Sequence, residues 1–237
     1  MQPHIQFKLN KSLDKQMALV FLSVKAGGID FSNGIIGVHP ELKNIKKKNK
    51  TIQKKIIDQY FDNFYQKHKD YLEKGVKEFQ TEWNKTEEEY FRAVAIIFKN
   101  HPWPKGKYIG YLSIINCNPR FIKDKTFQVF YFHPEGVVSV TAHELLHFIF
   151  YDYCLKKHSK IFKKLNPDNG VFWNLAEIFN VIILSLPAFK KIHPRKSIKS
   201  YPEHKITLPV LRKYWQKLPK IDEWLVKSYD YLERKRL

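Results

Sequence analysis

Thirteen consecutive residues, Val137 to Ile149, read V-V-S-V-T-A-H-E-L-L-H-F-I. Nearly every position is apolar or small, so a helix formed here must be buried almost all round. Its middle nevertheless carries His143, Glu144 and His147. Unpaired polar groups in a core cost on the order of 1 to 3 kcal/mol each, so burying three of them requires partners. At 3.6 residues per turn the two histidines, four apart, project from one face, and Glu144 stands beside that face. The H-E-x-x-H spacing suits zinc: two neutral imidazoles hold the ion, and the carboxylate is placed as general base toward water that the metal activates. The plain alternative is a coincidental pattern in a histidine-containing core helix.

Composition narrows the setting. The 237 residues are 43% hydrophobic and 15% aromatic, enough for a sizeable core in one large domain or two small ones. Cys117 and Cys154 lack C-x-x-C spacing, which argues against a disulfide framework and a cysteine metal site. The first residues do not read as a signal peptide, and no apolar run approaches the roughly eighteen residues of a membrane helix. The longest candidate, Val171 to Leu186, carries Asn174, Glu177 and Asn180. A soluble, cytoplasmic protein without a membrane span is therefore expected; its oligomeric state is left open.

The 42 basic and 23 acidic residues give a net charge of +19. Such charge attracts nucleic acid or an anionic surface. Lysine, however, far outnumbers arginine, whose planar fork dominates phosphate and base recognition, and Lys, Asn, Ile, Phe and Tyr are all abundant, as in an AT-rich coding sequence. The compositional reading is preferred, and nucleic acid is disfavoured as a partner. The densest basic stretch, Lys43 to Lys55, reads as a solvated helix start or linker.

Residues 1 to 85 read as a helical N-terminal region of unknown role. It has a short strand at His4 to Leu9, a buried apolar segment at Met17 to Val24, and turns at Gly27-Gly28, Asn33-Gly34 and Gly37. From Thr51 to Trp83 apolar residues recur at helical spacing, and a break near Gly75 divides them into two helices. Thr86 to Glu89 forms a capping box that starts a helix over 86 to 99, ended by His101-Pro102-Trp103-Pro104. Two strand-like runs follow, Tyr108 to Ile115 and Phe127 to Phe132, and His133-Pro134-Glu135-Gly136 leads into the histidine helix.

With these pieces in this order, residues 86 to about 186 resemble the zincin metallopeptidases, and more narrowly the gluzincins, whose third metal ligand is a glutamate on a later helix. The resemblance implies an α+β fold: a small mixed sheet packed on a backing helix and the H-E-x-x-H helix, here in a domain over 86–237 with extra helices at both ends. It also implies that the strand before the metal helix is a sheet edge that pairs with an extended peptide substrate, the counterpart here being 127–132. An ordinary interior strand is equally compatible with that run.

A tetrahedral catalytic zinc takes three protein ligands and a water. The metzincin extension requires glycine and histidine where this chain has Phe150 and Tyr153. His158, eleven residues past His147, lies roughly 16 Å along a continuing helix, and Asp152 points about 140° away from His147. Glu177 fits better. It lies in V-F-W-N-L-A-E-I-F-N-V-I-I-L-S-L, a second nearly all-apolar helix on which Asn174, Glu177 and Asn180, three apart, make a narrow polar stripe. A lone buried glutamate there calls for a cation; a hydrogen bond to Lys or Trp across the core is the alternative. Asn174 and Asn180 are candidates to orient the ligands from behind. The chain departs from the thermolysin relatives, whose glutamate sits in an N-E-x-x-x-D run nearer the second histidine; here Val181 stands where that aspartate would be. A compact or divergent gluzincin is the closer likeness.

The expectation is thus a zinc-dependent hydrolase, foremost a metallopeptidase, with His143, His147 and Glu177 holding Zn2+ and Glu144 as general base. The alternatives are a zinc hydrolase of a non-peptide amide or ester, a zincin fold that has lost catalysis, and a basic nucleic-acid-binding protein. Gluzincins add a Tyr or His donor after the glutamate helix to stabilise the oxyanion, which points to Tyr201 first and His204 next, with His193 third. Pro187 should end the glutamate helix, Lys190 to Lys199 should be a basic loop, and two amphipathic packing helices should follow Leu208.

Overall fold

A computed structural model of the chain describes residues 2–193 and 198–235. It is α+β, and its contacts divide it into two units: a sheet unit, His4–Lys85 with Gly106–Thr141, and a helical unit, Met1–Pro3 with Thr86–Lys105 and Ala142–Leu237. One division between the units falls between Lys85 and Thr86, and residues 106–141 belong with the N-terminal residues. The reason is strand pairing across the sequence, which sequential reading does not see.

The sheet unit contains β1 (Ile5–Leu9), α1 (Lys11–Phe21), a hairpin of β2 (Lys25–Ala26) and β3 (Ile29–Asp30), α2 (Asn33–Ile36), α3 (Lys50–Lys67), α4 (Lys69–Asn84), β4 (Tyr108–Ser113), β5 (Arg120–Phe121) and β6 (Thr126–Phe130). The four-stranded sheet has the order β1-β4-β6-β5, with β1, β4 and β6 parallel and β5 antiparallel to β6. Gly27 and Gly28, at φ 61° and 81°, make the tight β2–β3 turn that only glycine enters without strain. Asn33-Gly34, expected as a turn, instead opens the four-residue α2.

Asn10 and Asn49 cap α1 and α3 by accepting from Leu13 N and Ile52 N at 3.0 and 2.9 Å. The break between α3 and α4 falls at His68 rather than Gly75. Gly75 is an interior residue of α4, where an added Cβ would lie 2.8 Å from Leu112 Cδ1. It is small because α4 lies close on the sheet, not because the helix breaks there. Gln80 of α4 serves the outer edge of β1: its Oε1 accepts from Phe7 N and its Nε2 donates to Ile5 O, both at 3.0 Å. An exposed strand edge is closed in this way.

β6 is an interior strand. Its N–H groups on the β5 side are taken, Gln128 N by Pro119 O at 2.9 Å and Phe130 N by Asn118 Oδ1 at 2.7 Å. The substrate-pairing edge expected at 127–132 is therefore occupied by the chain itself, because the 116–125 connection folds back along the strand. Beneath the sheet, Asp14 is fully buried and accepts from Ser113 Oγ and Tyr65 Oη at 2.6 Å, Ile114 N at 3.1 Å and Gln128 Nε2 at 2.5 Å.

The helical unit contains α5 (Glu87–Ile97), most of α6 (Gly136–Lys157), α7 (Ser159–Phe162), α8 (Gly170–Leu184), α9 (Pro187–Ile192), α10 (Thr207–Lys217) and α11 (Ile221–Arg234). α5 begins after Thr86, although the Thr86 side chain makes no cap hydrogen bond. Lys99 and Asn100, at φ 52° and 58°, turn the chain out of α5 before the prolines are reached. α8 is buried from Leu175 through Leu184 without interruption, as its nearly all-apolar sequence requires. Phe179 anchors it between Phe150 of α6, ring centroids 4.8 Å apart, and Trp224 of α11 at 5.2 Å. Pro187 follows the end of α8 and occupies the first turn of α9, where its missing N–H is not needed, so Lys190 and Lys191 are helical rather than loop. The rest of the expected basic loop includes 194–197, which lie outside the described residues. The two amphipathic helices after Leu208 are α10 and α11. Among the described residues no helix is long and apolar enough to cross a membrane.

Candidate metal centre

α6 projects His143 and His147 from adjacent turns, and their Nε2 atoms lie 3.0 Å apart with the rings edge to face. α8 brings Glu177 to meet them: Oε2 is 3.2 Å from His143 Nε2 and Oε1 is 3.4 Å from His147 Nε2. The donor atoms of the three residues all lie within 4.8 Å of one another, and no other such trio of His, Cys, Asp or Glu occurs among the described residues.

These distances test whether zinc fits. Ligand atoms about 2.0 to 2.1 Å from a tetrahedral zinc are roughly 3.3 Å from each other. The two Nε2 atoms lie 3.0 Å apart and each is 3.2 or 3.4 Å from a different oxygen of the Glu177 carboxylate, close to that spacing. Burial is uneven. Glu177 and His147 are almost fully enclosed, whereas the His143 side chain is 25% exposed, so the centre opens to solvent on the His143 side. An open coordination position is what separates catalytic from structural zinc sites. Glu144, next along α6, is 5% exposed.

The surrounding polar groups hold the two helices in register. Asn180 Nδ2 donates to the His143 carbonyl at 2.9 Å, so this residue fixes the backbone of His143 rather than its ring. Asn174 Oδ1 lies 2.7 Å from His204 Nε2. His204 is buried, and burial lowers its pKa, with Glu177 and Glu203 acting in the opposite sense. A neutral His204 whose Nε2–H is donated to Asn174 presents Nδ1 as a lone pair. Tyr201 is half-buried, with its ring 4.9 Å from that of Trp173 and 5.7 Å from that of His204. His193 is buried at the end of α9.

One participant escaped the sequence reading. Tyr151 stacks on the His147 ring, centroids 5.9 Å apart and planes within 15°, and its hydroxyl donates to Pro167 O at 2.8 Å. It thereby ties α6 to the loop that leads into α8. The i, i+4 relation to His147 was the available signal.

No family model, curated protein or solved structure matches this chain.

Proposed function

We propose that the chain is a zinc-dependent hydrolase, and specifically a metallopeptidase of the gluzincin type, with His143, His147 and Glu177 as ligands. The observation that carries this reading is the convergence of two Nε2 atoms and one buried carboxylate, from two different helices, with one donor atom from each within 4.8 Å of the others. Zinc bound there supplies Lewis acidity, polarising a carbonyl and acidifying water, and two neutral imidazoles with one carboxylate leave the centre a net +1.

The residues of the chain do the rest. Glu144 takes the proton of the attacking water and returns it to the leaving amine, the role for which its position beside the histidine face is suited. Tyr201 is the better oxyanion donor of the two sequence candidates. His204 already spends a ring nitrogen on Asn174, whereas a phenol remains a donor across neutral pH. Since β6 is paired on both sides, the substrate is held elsewhere than along that strand.

Metal content of the purified protein, together with hydrolysis of a peptide library by wild type and Glu144→Gln, tests the proposal. One zinc per chain in both proteins, with turnover lost by orders of magnitude only in the variant, is expected. Absence of zinc, or undiminished turnover in Glu144→Gln, refutes it.

A further inference from the structure

His39, which the proposed hydrolase does not use, is buried among the rings of Tyr60, Phe61 and Phe64, with centroids 5.3, 5.7 and 5.2 Å away. Its Nε2 lies 2.8 Å from Ile114 O, just past β4, and its Nδ1 lies 3.1 Å from the Tyr60 hydroxyl of α3. That hydroxyl is in turn 3.1 Å from Glu41 Oε2, on the short helical turn Pro40–Leu42. All four residues belong to the sheet unit, so the chain of contacts stands apart from the proposed metal centre.

Hydrogens are too few for these three contacts to be made at once by a neutral ring. A carbonyl only accepts, so Nε2 carries a hydrogen, and a neutral imidazole then has a bare lone pair at Nδ1. Tyr60 owns a single hydrogen. Given to Nδ1, it leaves Glu41 facing a phenol oxygen with no hydrogen between them; given to Glu41, it leaves Nδ1 and the phenol oxygen lone pair to lone pair. An imidazolium satisfies all three, since Nδ1–H donates to Tyr60 and Tyr60 donates to Glu41. The groups that act on the ring are Glu41 from the turn and Tyr60 from α3; behind them stand Tyr131, whose phenol acts on that of Tyr60, His68, stacked on Phe64 at 4.5 Å, and Asp14 of α1, which accepts from Ile114 N at 3.1 Å. Burial lowers the His39 pKa below 6.5, with the Ile114 carbonyl and Glu41 acting in the opposite sense. Glu41 is held below 4.5 by its own N–H and then by the Tyr60 hydroxyl, so a carboxylate awaits the hydrogen as the pH falls from neutrality.

We infer that His39, Tyr60 and Glu41 form a proton-operated latch, which ties the Pro40–Leu42 turn to α3 when His39 is charged and frees Glu41 when it is neutral. The uptake balances: one proton from water ends on Nδ1, and the Tyr60 hydrogen turns from Nδ1 to Glu41 with no other bond changed.

Imidazole 15N and carboxyl 13C NMR of the full chain between about pH 4 and pH 8 is the test. At the alkaline end His39 should be the Nε2–H tautomer. On acidification the Glu41 carboxyl resonance should inflect at the His39 midpoint as well as at its own ionisation. Tyr60→Phe keeps the ring packing and removes the hydroxyl; it should shrink the first inflection about fivefold and lower the His39 midpoint. His68→Gln, which alters the neighbouring histidine outside the latch, should leave that inflection unchanged. Unaltered melting temperatures establish that both variants are folded. If Tyr60→Phe does not fold, Glu41→Gln, at an exposed position, replaces it and should lower the His39 midpoint. An Nδ1–H tautomer, a His39 that stays neutral to the acid limit, or a wild-type Glu41 without an inflection at the His39 midpoint overturns the latch. So does an inflection of full size in Tyr60→Phe, its loss in His68→Gln, or an unmoved His39 midpoint in Glu41→Gln.

Discussion

Acidification from pH 7 to pH 4 should stabilise the sheet unit through a single residue, Asp14. Two effects compete at its carboxylate. Complete burial disfavours the charge, while the hydroxyls of Ser113 and Tyr65, the Ile114 N–H and the Gln128 amide favour it. Burial is the larger and carries the pKa from an ordinary 3.8 up to about 6. Between those values the native chain keeps a proton that the unfolded chain releases. The stabilisation is therefore complete below about pH 4 and is lost as the pH rises through about 6. Two units at about 1.4 kcal/mol each amount to roughly 3 kcal/mol. Urea unfolding of wild type and Asp14→Asn at pH 4, 5, 6 and 7 isolates this contribution, because the amide does not titrate. Other carboxylates, such as Asp62, which Lys11 and Lys15 hold below its ordinary value, act in the opposite direction in both proteins and cancel in the difference. The stability of wild type relative to the variant should rise by about 3 kcal/mol between pH 7 and pH 4. A difference that stays flat would refute the reasoning and mean that four donors outweigh desolvation.

Two further outcomes concern the proposed metal centre. Replacing an outer residue of a zinc site typically weakens metal binding by about 10- to 100-fold, so Glu177→Ala should exceed that range and match His147→Ala in a chelator-competition measurement; full retention of zinc would remove Glu177 from the ligand set. Tyr201→Phe should lower kcat at least tenfold with zinc content and KM little changed, since a donor aimed at developing charge typically contributes about 3 kcal/mol. His204→Ala should act mainly by freeing Asn174, and a larger kcat effect there than at Tyr201 would reverse the assignment.

The convergence of His143, His147 and Glu177 could be anticipated because each part of the cluster is written within a few residues. His143 and His147 share a face by helical repeat alone, and Glu177 interrupts a stretch too apolar to carry a charge without a partner. The positions of α5, α10 and α11 followed likewise from local periodicity and punctuation. Gly75 misled for a related reason: the same missing side chain that weakens a helix also permits close approach to a sheet, and local sequence does not distinguish these uses.

Short-range geometry is thus legible in the chain: which segments coil, which faces are apolar, and which polar residues are forced into a core. Long-range packing sets the rest: Ile5–Leu9 pairs with Tyr108–Ser113 across about a hundred residues, the 116–125 connection closes the outer side of β6, and Pro167 receives the Tyr151 hydroxyl. These depend on which of many compatible strands and loops meet. That choice is made by the summed burial and hydrogen bonding of the whole unit, since no local stretch carries enough free energy to specify a distant partner.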